Sequence, residues 1–179
     1  MSQTVLPPSA RIIADYLRAK DAQVPQLYSR VFTPDARFIT TFSVPSPFGE
    51  RPPQLGLPAI TSTFKELGTH NENIVTLVPV ESVEQRDGVL SSRWVVAMTR
   101  RDGTGGFAGW GRYAWILDDS GSRARELEVF FEGMAGLSES QAKPVLSALL
   151  DLPHPWCARA ELHRAISPLP QLEALHRWL

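Results

Sequence analysis

Cysteine is almost absent. The single thiol of Cys157 in 179 residues rules out an internal disulfide and any metal site built from several cysteines. Such usage suits a reducing compartment, and a cytoplasmic setting is the expectation. A surplus of either charge is also missing. Eighteen Lys and Arg stand against 19 Asp and Glu with no basic stripe, so nucleic acid is not an expected partner. No apolar run approaches the roughly 18 residues of a membrane span. Met1-Ser2-Gln3-Thr4 has neither a basic n-region nor an apolar h-region, so no signal peptide is expected. Histidine is sparse, and His154, His163 and His176 have no recognisable metal-ligand spacing. Neither a metal nor an organic cofactor is expected.

What is present is ordinary for a folded domain: 43% of the residues are apolar, enough for a sizeable core. Ser9 is placed to cap a first helix whose Ile12, Ile13, Tyr16 and Leu17 recur at helical spacing. Pro25 opens a second, short helix carrying Leu27, Tyr28, Val31 and Phe32. Thr33-Pro34-Asp35 reads as a turn into a β-rich run from Arg37 to Val44. The four prolines between Pro45 and Pro53 forbid regular structure there and suggest a rim or lid. A third helix runs from Pro58 to Leu67 and is stopped by Gly68.

From Ile74 onward the chain reads as strand after strand, joined by Asp/Gly turns. The expected strands are Ile74–Glu84, with Pro79 at a bulge or edge, then Val89–Arg100, Phe107–Leu117 and Ala124–Phe131. Asp87-Gly88 is a hairpin signal. Helices first and an antiparallel meander afterwards make an α+β fold. Bulky residues occupy both faces: Trp94, Val96 and Met98 oppose Val95 and Ala97, and Trp110 opposes Tyr113 and Trp115. Both faces should therefore be covered, one by the helices and the other by a second subunit in a homodimer, or by the chain's own tail. That tail contains helical patterns around Val145, Leu146, Leu149 and Leu150, over Ala158–Ile166, and over Gln171–Leu179.

The phrase Phe32-Thr33-Pro34-Asp35-Ala36-Arg37-Phe38, followed by Gly56-Leu57-Pro58-Ala59-Ile60 and Phe64, resembles the SnoaL-like branch of the nuclear transport factor 2-like (NTF2-like) superfamily. The resemblance spans roughly residues 10–133. It implies an NTF2-like cone, with N-terminal helices packed on a curved antiparallel sheet around one small-molecule pocket. Residues 1–136 would form that domain, and 137–179 a helical C-terminal extension packed on it.

The resemblance also implies where a site would be. Ketosteroid isomerases place an oxyanion-hole tyrosine at the position of Tyr16, but their general-base aspartate falls on Thr40, which cannot shuttle a proton at neutral pH. Thr69-His70 is similar to a shortened Thr-x-His of scytalone dehydratases. The Asp-Arg-Asp set of limonene epoxide hydrolases is not found: Arg93 is followed two residues on by Val95. Tyr16 as oxygen donor and His70 as proton carrier are thus the candidate catalytic pair. Tyr28, Phe38, Thr40, Phe42, Trp94, Tyr113 and Glu128 are the candidate ligand-binding residues. Strand parity leaves open whether Glu128, with Glu126 and Glu132, faces the cavity or forms a polar outer face.

Two functions remain. One is a cofactor-independent isomerase, dehydratase or cyclase acting on a small hydrophobic or aromatic metabolite. The other is a non-catalytic ligand-binding or assembly protein of the same fold. The missing acids favour the second; Tyr16 with Thr69-His70 favours the first.

Overall fold

The computed structural model describes residues 5–45, 49 and 51–179. Part of the proline-rich segment, residues 46–48 and 50, lies outside the described residues, as do Met1–Thr4. Helix α1 (Ala10–Asp21) buries Ile12, Ile13, Tyr16 and Leu17 as their spacing dictates. Ser9 does not cap it. Its own dihedrals are helical, and its hydroxyl donates instead to Gln85 Oε1 at 2.6 Å, tying the helix start to the sheet.

Helix α2 (Tyr28–Val31) runs directly into strand β1 (Phe32–Phe42). The expected Thr33-Pro34-Asp35 turn is a large bulge within β1. Phe32 pairs with Ala124 and Arg37 with Glu126, so residues 33–36 face only Arg125. A proline is tolerated there because the bulged residues leave the hydrogen-bond ladder. Strand β2 (Gln54–Leu55) adds to the edge of β1, and Gly56, at φ 81°, turns the chain into helix α3 (Leu57–His70). Gly68 does not stop α3. The Gln23 side-chain amide, the end of a flexible side chain, packs against Gly68, 2.0 Å from where a Cβ would be, and the helix continues to His70.

The expected strand from Ile74 to Glu84 divides at Pro79. Strand β3 (Asn71–Pro79) gives way to a turn over Val80–Ser82 and a short β4 (Glu84–Arg86). Asp87 and Gly88, with φ of 50° and 77°, close the hairpin into β5 (Val89–Arg100). Strands β6 (Gly106–Leu117) and β7 (Ala124–Leu137) complete an antiparallel run β3-β5-β6-β7. Strand β1 joins β7 in parallel, so the curved sheet is mixed.

The tail returns across the convex side. Helix α4 (Glu139–Leu150) is capped by Ser138, whose backbone N–H donates to Gln141 Oε1 at 3.0 Å. Strand β8 (Trp156–Cys157) lies parallel to β3 at the sheet edge, followed by α5 (Arg159–Ile166) and α6 (Glu173–Trp178). Leu150, expected on the apolar stripe of α4, points outward.

Two cores result. One fills the space between α1–α3 and the concave face, with Tyr16, Phe32, Phe64, Trp94, Tyr113 and Trp115 at its centre. The other seals Val75, Leu77, Val95, Ala97 and Trp110 of the convex face under Val145, Leu149, Leu162, Ile166, Leu172 and Leu175 of the tail. The apolar residues of the convex face that suggested a second subunit are thus covered by the chain itself. Cys157 sits in this second core, where burial, reinforced by Glu161 and Glu81, raises its thiol pKa to about 12. Among the described residues, no helix is long and apolar enough to cross a membrane.

Candidate functional site

Between the helices and the concave sheet lies a cavity of about 820 Å³. Because alternate strand residues share a face, Phe38, Thr40 and Phe42 of β1 line it together, as do Trp94, Val96 and Met98 of β5. Phe107 and Tyr113 of β6, and Val129, Phe131 and Met134 of β7, complete the sheet side. Helices α1 and α3 contribute Tyr16, Lys20, Thr63, Phe64 and Leu67. Solvent-exposed Arg51, Glu66, Thr69, His70, Arg101 and Asp102 form the mouth. Pro45 and Gly49, from the proline-rich segment expected near the pocket, also line it.

Tyr16 is 2% exposed and held by edge-on contacts to Phe64, Tyr113 and Trp115, with ring centroids at 5.5, 5.7 and 5.1 Å. Its ring meets that of Tyr113 nearly at right angles, and both residues line the cavity. Burial drives both phenols well above their ordinary pKa, and the Asp21 carboxylate adds to the effect at each. Both rings therefore stay neutral at physiological pH and act as hydroxyl donors.

His70 ends α3 in solvent, where its backbone carbonyl accepts from Arg101 N–H at 3.0 Å. The cavity touches both members of the candidate pair, but one lies in its depth and the other at its mouth. Phe38, Thr40, Phe42, Trp94 and Tyr113 all line the cavity. Tyr28 does not: it stacks behind Phe64, centroids 5.1 Å apart, with its hydroxyl unpartnered among the described residues. Glu128 does not either. It shares the convex parity, opposite Leu127 and Val129 of the inner core, and accepts from Thr41 Oγ1 at 2.6 Å. Arg93 also turns to the convex side, donating to the Trp178 carbonyl at 3.2 Å and lying over the Trp178 ring.

Sequence reasoning missed Lys20. It follows Tyr16 by four residues and so lies on the same helix face, lining the same cavity although 5% exposed. Its ammonium pairs with Asp21 and donates to Thr76 Oγ1 at 2.8 Å. Asp21 accepts in turn from Thr76 N–H at 2.8 Å and faces His154 Nε2 at 3.4 Å. Burial works to raise the Asp21 pKa, but Lys20, His154 and Thr76 outweigh it and hold the carboxyl below its usual value. A charged residue at i+4 from an inner tyrosine was the available signal.

No family model matches the sequence, and no curated protein matches it significantly. Solved structures do share the fold. One is a protein with a ketosteroid isomerase-like fold from Catenulispora acidiphila, at TM-score 0.58 and 10% identity over 72% of this chain and 88% of that one. An NTF2-like protein of unknown function from Burkholderia pseudomallei matches at 0.57 and 13% over 71% and 92%. PrhC from Penicillium brasilianum matches at 0.56 and 12% over 95% of each chain, a span that includes most of the tail. This chain has the NTF2-like fold, with helices against a curved sheet. At such identities the likeness carries the fold and no activity.

Proposed function

We propose that the protein binds a small hydrophobic or aromatic molecule in this cavity. The carrying observation is a cavity of about 820 Å³ walled by aromatic and aliphatic side chains, with a few polar groups in its depth. Titration with the neutral fluorophore N-phenyl-1-naphthylamine tests it, together with native mass spectrometry of the purified protein. One-site binding, or a co-purifying small molecule, is expected; a protein that takes up neither refutes the reading.

A catalytic reading, as a cofactor-independent isomerase, dehydratase or cyclase, is supported by Tyr16 and His70 bordering one cavity. Tyr16 would donate to a substrate oxygen and His70 would carry the proton. The separation of the two, one buried and one exposed, favours binding over catalysis. Turnover of a candidate substrate that survives both Tyr16→Phe and His70→Ala would exclude this pair.

A cytoplasmic setting belongs to the same proposal, supported by the buried, unpaired thiol of Cys157. So does the division into a 1–136 domain and a 137–179 extension, supported by the two separate cores. For a homodimer, the convex strip left open by the tail is the proposed contact. It carries Ile39, Ile116 and Phe130 among Arg112, Glu126 and Glu128. Light scattering at micromolar concentration decides it, and a monomer refutes it.

A further inference from the structure

Lys20 is the one buried Lys or Arg among the described residues that line the cavity; the arginines that border it stand at its solvent-exposed mouth. Two of its three protons are committed among the described residues, to Asp21 and to Thr76 Oγ1. Its geometry is fixed from behind. Asp21 accepts from the Thr76 backbone N–H at 2.8 Å and from its hydroxyl at 3.0 Å, and His154 of the tail closes on its other side at 3.4 Å. An ammonium held this firmly keeps its third N–H in one place. Tyr16 and Tyr113, in edge-on contact, add two neutral hydroxyl-bearing side chains to the same lining. The cavity thus has one uncommitted Lys20 N–H among its described partners, beside two neutral tyrosines and aromatic walls.

Charge decides what that donor fits. Lys20 and Asp21 cancel formally, and both tyrosines are neutral. A carboxylate taken into this region would lose its hydration and meet no net positive charge. At the mouth, Arg51, Arg100 and Arg101 are all solvent-exposed, where water screens them, and Arg51 and Arg101 are paired with Glu66 at 3.3 Å and Glu72 at 3.1 Å. An uncharged carbonyl oxygen, with free lone pairs and a small desolvation penalty, can accept from an ammonium N–H without that cost.

We infer that Lys20 is the polar anchor of this cavity, and that the molecule it fits is uncharged, with an apolar body and a carbonyl oxygen at its buried end. The inference rests on the cavity being a small-molecule site, as proposed above. It assigns Lys20 a binding role that the resemblance to known families did not supply, and it defines the ligand by its acceptor and by its lack of charge.

The test uses the full chain and three probes of one shape: 2-acetylnaphthalene, 2-ethylnaphthalene and 2-naphthoate, each competed against N-phenyl-1-naphthylamine. In the unaltered protein the ketone should bind more tightly than the carboxylate, a comparison that needs no variant. Lys20→Met should weaken the ketone about tenfold or more, as expected for a hydrogen bond from a charged donor, and change 2-ethylnaphthalene by less than about twofold. Because Lys20→Met leaves the Asp21 carboxylate buried without its cation, Lys20→Met/Asp21→Asn is the companion variant, and the same contrast is expected there. If N-phenyl-1-naphthylamine does not bind, the small-molecule reading fails and this inference falls with it. If it binds but the ketone loses no more than the hydrocarbon, the cavity reading stands and Lys20 is not the anchor. Tighter binding of 2-naphthoate than of the ketone would overturn the uncharged ligand.

Discussion

Two adjacent leucines give the sharpest test of how the tail is attached. Leu149 and Leu150 close helix α4, but Leu149 is 0% exposed, in the core with Trp110 and Val95, while Leu150 is 64% exposed. The two substitutions to alanine remove the same atoms and change helix propensity equally. Removing a fully buried leucine costs about 2–5 kcal/mol through lost transfer energy and residual cavity. In a chain of this size each kcal/mol moves the melting temperature by roughly 2–4 °C, so Leu149→Ala should lower it by about 4–20 °C. Leu150→Ala should stay within about 0.5 kcal/mol, under roughly 2 °C. Thermal unfolding would be followed by far-UV circular dichroism and by tryptophan fluorescence, which reports Trp110 beneath the tail and Trp94 in the cavity wall. A single cooperative transition should shift in both signals. Equal shifts for the two variants would refute the placement of α4. A Leu149→Ala protein whose main transition is unmoved, with a separate low-temperature step, would show that the tail is an independent module.

Other consequences follow from the same geometry. Tyr16→Phe should fold normally and weaken a ligand that accepts from this hydroxyl by about 0.5–1.5 kcal/mol, measured by calorimetry; an unchanged affinity would place the ligand elsewhere. All three tyrosines, Tyr16, Tyr28 and Tyr113, have pKa values raised by burial, so the folded state holds their protons beyond the unfolded value of about 10. Their contribution to stability is full below that pH and is lost as pH rises above it, so phenolate absorbance near 295 nm should appear only together with alkaline unfolding. Phenolate forming in a protein with native circular dichroism would contradict the burial. Asp21 has the opposite sign: its depressed pKa contributes stability above the unfolded value of about 3.9, lost as pH falls through the folded one. Asp21→Asn should therefore flatten the acid limb of a stability-versus-pH curve, and an unchanged limb would refute the network. Cys157, at 2% exposure and with its thiol pKa at about 12, should react with Ellman's reagent only on unfolding.

The sequence by itself determined what depends on local periodicity and turn chemistry. The 3.6-residue recurrence of Ile12, Ile13, Tyr16 and Leu17 defined α1 and its buried stripe, and Asp87-Gly88 defined a hairpin. The two-residue period set Trp94, Val96 and Met98 on one face against Val95 and Ala97, while Phe38, Thr40 and Phe42 came from the family resemblance. Parity cannot say which face is inside, because that depends on where the helices land. The tertiary structure lines the cavity with Trp94 and Tyr113, candidates from the resemblance, but it alone put Trp110 under the tail and Glu128 on the convex side. Caps and stops depended on more than local signals: Ser9 gave its hydroxyl to the distant Gln85, and α3 ran through Gly68 to His70. Lys20 shows the limit most clearly. In sequence it is a lysine near the end of a helix, a residue normally left in water. Thr76 on a strand 56 residues away joins Asp21 at its ammonium, and His154 in the tail closes on Asp21, only once the chain has folded, and that convergence is what lets the charge be buried.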